Sequence, residues 1–316
     1  MKNEQSEVRP GSLRAWILAA RPKTLSAALA PVGVASALAF HDGRFRLVVC
    51  LLCVLFATAM QIAANLINDV MDFRRGTDGE DRLGPERACA QGWLSVRQCW
   101  WGVAFTLVVA AFVGVALLVA SGAWIDWSQD GLHVDWSAVG TLVGIGLACG
   151  LFAFLYTSMM SYIGLGDVLV YVFFGFVPVV GTYYVQALTV TPAAWWLGAA
   201  VGLVIDTLLL LNNYRDRDTD RRSGKRTLVA VLGERFGSMS YLVHGFLGVG
   251  CALVALAQGE MLRWNALFFL PYVAFHVHAW HTMTSIRRGR ELNRVLGMTS
   301  QGILLFALLT MLALGF

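Results

Sequence analysis

Nine apolar stretches, each about as long as a bilayer is thick, dominate the sequence. A transmembrane helix needs ~20 mostly apolar residues, and such windows fall at 24–41, 47–71, 98–121, 137–157, 164–188, 193–213, 237–257, 262–284 and 295–316. Only 14% of the residues are Asp, Glu, Lys or Arg, against ~25% in a typical soluble domain. The expected fold is therefore all-α, a single polytopic membrane domain covering residues 1–316 with about nine transmembrane helices. The net charge of +4 is too small an excess to coat a nucleic-acid-binding face, so no nucleic-acid partner is expected. The six cysteines are scattered; Cys50 and Cys53 lie inside an apolar run and read as packing groups. The polar stretch before Thr24 lacks the apolar core of a cleaved signal peptide.

Nine spans put the two termini on opposite sides, and the basic residues choose between the sides. The N-terminal stretch and the second, sixth and eighth loops hold 21 of the 24 Lys and Arg residues; Arg44, Arg46 and Arg263 are the other three. The positive-inside rule places that side, and the N-terminus, in the cytoplasm of an inner-membrane protein. Trp124, Trp127 and Trp136, with Asp126, Asp130 and Asp135 between them, read as an interfacial rim on the opposite side, and Glu260 reads the same way.

Chemistry concentrates where the second and sixth spans reach the basic side. One stretch runs Asn65-Leu-Ile-Asn68-Asp69-Val-Met-Asp72-Phe-Arg74-Arg75-Gly76-Thr77-Asp78, the other Asn212-Asn213-Tyr214-Arg215-Asp216 through Asp220 to Gly224-Lys225-Arg226. Aligning Asn68 with Asn212 puts Asp72 on Asp216, so the chain reads as two weakly repeated halves, roughly 1–160 and 161–316. Residues three or four apart share a helix face. Asn65, Asn68, Asp69 and Asp72 thus form one polar stripe, and Asn212, Asp216 and Asp220 another. Two facing carboxylate clusters repel unless a hard cation joins them, and Mg²⁺ binds one or two carboxylates while leaving room for substrate phosphates. Arg74, Arg75, Arg222, Lys225 and Arg226 supply donors for phosphate oxygens. Acids for metal and bases for phosphate at one membrane face point to a lipid diphosphate.

These motifs resemble the two aspartate-rich motifs of the UbiA superfamily of intramembrane aromatic prenyltransferases, with Asn68-Asp69-x-x-Asp72 as the first and Asp216-x-x-x-Asp220 as the second. Further stretches are similar to the branch that prenylates 1,4-dihydroxy-2-naphthoate for menaquinone synthesis: Arg21-Pro22-Lys23-Thr24-Leu25, Arg74-Arg75-Gly76-Thr77-Asp78, Gly164-Leu165-Gly166-Asp167, Gly181-Thr182-Tyr183-Tyr184 and Gly224-Lys225-Arg226-Thr227. The stretch Thr157-Ser158-Met159-Met160-Ser161 departs from that branch. The resemblance implies helices around a central cavity open to lipid, a polyprenyl diphosphate donor, a dihydroxynaphthoate substrate and Mg²⁺. It implies Asn68, Asp69, Asp72, Asp216 and Asp220 as metal ligands. Asn65, Asn68, Arg74, Arg75, Asn212, Lys225 and Lys23 are the diphosphate contacts, and Asp72, Asp216, Asp167 and Lys225 the catalytic set. Arg21 and Lys23 read equally as interface anchors, and Asp167 equally as a helix N-terminal cap.

Other readings use the same residues differently. Prenylation of 4-hydroxybenzoate or homogentisate needs the same metal chemistry, whereas a cation transporter needs carboxylates near mid-span, where only Asp206 lies and no mate for it is evident. His276, His278 and His281 do not share one helical face and read as packing or cavity-wall residues. Glycines in the spans permit close packing within or between chains, which leaves the oligomeric state open.

Overall fold

The structure, a computed structural model, describes residues 8–76, 83–128, 131–158, 164–259 and 262–315. Asp78, Asp130 and Glu260 lie outside the described residues, as does the side chain of Lys23.

Each apolar window becomes a helical segment. In chain order the helices are α1 (Leu13–Ala20), α2 (Leu25–His41), α3 (Leu47–Arg74), α4 (Val96–Ser121), α5 (Trp136–Ser158), α6 (Gly166–Val170), α7 (Val177–Ala187), α8 (Pro192–Arg222), α9 (Leu228–Leu232), α10 (Glu234–Gln258), α11 (Leu270–Ile286) and α12 (Leu292–Gly315). A wider turn, Tyr171–Phe176, joins α6 to α7 into one span. A two-stranded hairpin, β1 (Ile125–Ser128) and β2 (Gly131–Val134), links α4 to α5 at the tryptophan-rich rim. Among the described residues, seven spans are long and apolar enough to cross a membrane alone, and α1 with α2, bent by 59°, makes an eighth. The window at 262–284 becomes α11, 17 residues long, preceded by the tighter turn Trp264–Phe269.

The two longest helices are those that carry the acidic motifs. α3 has 28 residues and α8 has 31, or about 42 and 46 Å at ~1.5 Å per residue. Both exceed the ~30 Å hydrocarbon core, so each has turns to spare beyond it, and Asp69–Arg74 and Asp216–Arg222 occupy those turns. Each helix is followed by a glycine in the left-handed region, Gly76 at φ +70° and Gly224 at φ +76°, a conformation that costs glycine little and other residues more.

The core lies where α2, α7, α8, α10 and α12 meet, around Tyr183, Leu197, Val204, Phe269 and Phe306. Glycines set its closest approaches. A Cβ at Gly175 would lie 2.6 Å from the Gly198 carbonyl oxygen, and one at Gly202 2.9 Å from that of Tyr171. These contacts bring the backbone of the Tyr171–Phe176 turn close against α8, with the Tyr171 and Phe176 rings packed on Gly202 and Gly198.

A cavity of about 730 Å³ lies among α2, α3, α4, α5 and α7. Its wall is almost wholly apolar and includes Val32, Phe56, Leu117, Phe173 and Val177. Gln61 and Ala64 mark its end toward the acidic motif of α3. Val115, Val143, Leu147 and Leu151 line it and are at least half exposed on the outer surface, so the cavity opens sideways toward lipid between α4 and α5.

Candidate active site

The first motif is fixed by the loop that follows α3. Asp69 is 1% exposed; its two carboxylate oxygens accept the backbone N–H groups of Ala88 and Cys89, both at 2.9 Å, with Arg21 3.9 Å away. Asp69, expected at the metal, is instead buried against the loop as its anchor, whereas Asp72 and Asp216 keep part of their side chains exposed. Asp72, one turn on and 24% exposed at its side chain, accepts Arg87 Nη2 at 2.8 Å. Asn68, just before Asp69, is half-buried, and Arg74 and Arg75 are exposed at the helix end, the Arg74 guanidinium 6.0 Å from the Trp100 ring. Behind Asp69, the thiol of Cys89 lies 3.3 Å from that of Cys99. The Cys99 hydrogen bond, burial and the Asp69 charge push the Cys89 thiol well above the usual range, which makes it a packing group and not a nucleophile.

Asn65, expected at the diphosphate, is instead 3% exposed and bonded to the start of the chain. Its Nδ2 donates to the Ala20 carbonyl and to Thr24 Oγ1, both at 2.9 Å. It staples α3 to the α1–α2 bend.

In the second motif, Arg215 grips Asp216 with two parallel bonds of 2.8 and 2.7 Å, the strong fork geometry of guanidinium and carboxylate. Asp216 keeps 29% of its side chain exposed. One turn further, Asp220 is 7% exposed; its Oδ1 lies 3.7 Å from Lys225 Nζ, while its Oδ2 is buried and among the described residues has no hydrogen-bond partner. The turn at Gly224 brings Lys225 back, its N–H donating to the Asp220 carbonyl at 2.9 Å. Asn212 donates to the Leu208 carbonyl at 3.0 Å, which leaves its side-chain oxygen available. The base of the motif is clamped by Glu234, which accepts Arg217 Nη2 at 2.9 Å and Arg287 Nε at 2.8 Å.

A bonded path joins the two motifs. Arg215 Nη1 donates to Asn293 Oδ1 at 2.8 Å, and Asn293 Nδ2 donates to the Leu83 carbonyl at 2.8 Å. Leu83 opens the loop whose Arg87 holds Asp72. The start of α12 thereby ties one acidic helix end to the loop of the other. Sequence reasoning missed Asn293, Arg87 and Arg215 as site residues; the two arginines counted there only as topology-setting charges.

Among the described residues, no three His, Cys, Asp or Glu side chains converge as a metal site by themselves. The donor set nonetheless suits a hard divalent cation. Asp72 and Asp216 are partly exposed oxygen donors at water-accessible ends, and Asp220 has a buried oxygen that among the described residues meets no hydrogen-bond donor, a situation that costs free energy unless a cation or donor arrives. Mg²⁺ usually completes its shell with water and substrate phosphate, so few protein ligands are needed.

The remaining candidates lie elsewhere. Asp167 is at the start of α6, its Oδ1 buried and without a hydrogen-bond partner among the described residues, and it is not among the residues lining the apolar cavity. Antiparallel packing of Tyr171 and Gly175 on Gly202 and Gly198 continues one turn to set Asp167 opposite Asp206. Asp206, buried in α8, has His244 Nε2 of α10 at 3.4 Å, the mate that the sequence did not reveal. His276 is stacked between Tyr241 and Tyr272 at centroid distances of 4.9 and 5.6 Å, a packed histidine, while His278 and His281 are exposed.

A lipid-open apolar cavity whose inner end approaches paired acidic and basic helix ends defines an intramembrane protein built to hold an amphiphile with an anionic head. The chain belongs to the UbiA prenyltransferase family, whose model matches residues 28–300. It is 37% identical over 264 residues to the 1,4-dihydroxy-2-naphthoate octaprenyltransferase of Escherichia coli, covering 81% of each chain. It is 32% identical to the protein of the same name from Haemophilus influenzae, over 96% of each, and 33% identical to that of Mycobacterium tuberculosis, over 96% of this chain and 98% of the other. The fold matches the apo structure of a UbiA homolog from Aeropyrum pernix, with TM-score 0.67 and 17% identity over 92% of this chain and 97% of that one. A UbiA homolog from Archaeoglobus fulgidus bound to GPP and Mg²⁺ matches with TM-score 0.62 and 14% identity, over 96% of this chain and all of the other.

Proposed function

We propose that this protein transfers a polyprenyl group from an allylic polyprenyl diphosphate to 1,4-dihydroxy-2-naphthoate, releasing diphosphate and CO₂ and forming demethylmenaquinone as its quinol. The observation that carries the reading is the junction of an apolar, lipid-open cavity with the α3 helix end, bonded through the 83–89 loop and Asn293 to the α8 helix end. The relatives with the naphthoate prenyltransferase name support the choice of aromatic substrate. The charged rim faces the cytoplasm with the N-terminus inside, on the strength of its basic residues. The chain is read as one prenyltransferase domain whose two related halves each deliver an acidic helix end.

The bound diphosphate lies between the helix ends. Asp72, Asp216 and Asp220, with Asn68 and the side-chain oxygen of Asn212, would hold Mg²⁺, which when bound would neutralise phosphate charge and ease departure of the diphosphate. Lys225, Arg74 and Arg75 donate to phosphate oxygens. Lys225, 3.7 Å from Asp220, would be free to serve a phosphate oxygen if a cation balanced that carboxylate. The C–O bond electrons leave with the diphosphate, and these donors meet the charge that grows there. The allylic cation lies at the mouth of the apolar cavity, whose wall excludes water. The ring carbon bearing the carboxylate attacks it; the C–C bond to the carboxylate then breaks, its electrons restore the ring, and CO₂ departs. Asp69 and Asn65 serve by holding the loop and the α1–α2 bend. Asp167, set against Asp206 and away from the cavity, is assigned no step.

The test is an assay in detergent with a radiolabelled allylic diphosphate and two alternative aromatic substrates. Prenylated naphthoquinone with CO₂ release is expected from the naphthoate and no product from 4-hydroxybenzoate. Product from the benzoate alone would reassign the substrate.

A further inference from the structure

One polar side chain in the apolar cavity is unexplained by the diphosphate site. Gln61 lies two turns before Asn68 on α3, roughly 10 Å along the axis at ~1.5 Å per residue, where the cavity ends below the acidic motif. Its amide orientation follows from its neighbours. The Ala20 carbonyl can only accept, so Asn65 turns its Nδ2 to it at 2.9 Å. Asn65 Oδ1 therefore faces Gln61, and Gln61 offers its Nε2, bonded to Asn65 Oδ1 at 3.2 Å and within 3.4 Å of Thr24 Oγ1. Both amides are thus set by a backbone carbonyl that has no second role. Oε1 is the atom left over: among the described residues it accepts no hydrogen bond, and Gln61 itself lines the cavity. A carbonyl oxygen held in this orientation beside an apolar cavity is placed to accept a hydrogen bond when a donor enters the cavity in the working complex.

We propose that Gln61 Oε1 binds the aromatic substrate by accepting a hydrogen bond from the ring hydroxyl next to the reacting carbon. This rests on the naphthoate reading above. The position suits that role, because the ring must lie where the allylic carbon, just below the diphosphate, meets the apolar cavity. The chemistry suits it as well. When the ring attacks, positive charge develops on the carbon that carries the neighbouring hydroxyl, and that proton becomes more acidic. A bond to the neutral amide oxygen strengthens as the transition state forms without taking the proton, and so favours the transition state over the ground state. Asn65, linked to Gln61 on one side and to the α1–α2 bend on the other, holds the acceptor oxygen in place from the side of the diphosphate site.

Two inhibitors separate this role from a structural one: 1-hydroxy-2-naphthoate, which keeps the hydroxyl beside the carboxylate-bearing carbon, and 4-hydroxy-2-naphthoate, which lacks it. Each is measured as a competitor of the dihydroxynaphthoate on the wild type and on Gln61→Met. The wild type binds the 1-hydroxy compound roughly tenfold more tightly, in keeping with one buried hydrogen bond. Gln61→Met abolishes that preference, raises the KM for dihydroxynaphthoate by a similar factor and leaves the KM for the polyprenyl diphosphate unchanged. Equal binding of the two inhibitors by the wild type overturns the proposal even if the variant does not fold, and so does a preference that survives in Gln61→Met. If the wild type does not turn over dihydroxynaphthoate at all, the failure lies with the proposed substrate and not with Gln61.

Discussion

Asp69 and Asp72 stand three residues apart in one motif, yet the structure gives them opposite work, and replacing each by asparagine separates the two. In Asp69→Asn one side-chain oxygen becomes an NH₂ group facing a backbone N–H. The substitution removes one charge-assisted bond of 2.9 Å outright, weakens the other, and leaves a buried donor unsatisfied. Such bonds contribute ~1.5–3 kcal/mol each, so the loop from Leu83 to Leu94 loses about 2–4 kcal/mol of local stability and opens ~30- to 1,000-fold more often, each ~1.4 kcal/mol being tenfold. Asp72 accepts Arg87 at 2.8 Å and keeps its side chain 24% exposed. Removing its charge costs at most about 1 kcal/mol after screening, while turnover falls at least a hundredfold on the metal-ligand assignment. The assay pairs limited proteolysis of the 83–94 loop in detergent with product formation. Asp69→Asn cleaves readily and Asp72→Asn resists like the wild type. The reasoning fails if Asp72→Asn loosens the loop as much as Asp69→Asn does, or if Asp69→Asn leaves the loop protected.

Further outcomes follow from the same geometry. Lys225→Met, which keeps the length of the side chain and removes its charge, raises the KM for polyprenyl diphosphate about tenfold, the worth of one charge-assisted contact, with the thermal midpoint unchanged. Gly245→Ala puts a Cβ 2.2 Å from His276 Nε2 and destabilises the α10–α11 packing by ~1–3 kcal/mol, read as a lower midpoint with normal KM values. Gly146 lines the cavity and has open space where a Cβ would sit; Gly146→Leu narrows the route of the tail, and competition between short and long allylic diphosphates shifts toward the short one.

The membrane-spanning pattern was readable because lipid imposes it: a stretch without enough apolar residues cannot cross, so composition alone locates the spans. Even α3 and α8 extended past their apolar windows as the acidic stripes required, to Arg74 and Arg222. What the stripes could not separate was Asp69 from Asp72. Three residues differ by 300° around a helix, close enough to share a face, and the choice between facing the site and facing a loop depends on where residues 83–95 pack. Asp206 and His244 belong to different helices, 38 positions apart, and no local pattern announces such a pair. Asn293 was invisible for the same reason, since its two bonds reach Arg215 and Leu83. Gln61 carried no motif, and its significance lies in which atom Asn65 leaves unused.

The central claim is that two acidic helix ends hold one diphosphate through a divalent cation. Calorimetric binding of a non-hydrolysable allylic diphosphate analogue, with Mg²⁺ and with EDTA, tests it on the wild type, Asp72→Asn and Asp216→Asn. The account predicts Mg²⁺-dependent binding to the wild type, weakened at least tenfold in both variants. Binding that is indifferent to EDTA, or that survives intact when either aspartate is replaced, would contradict it.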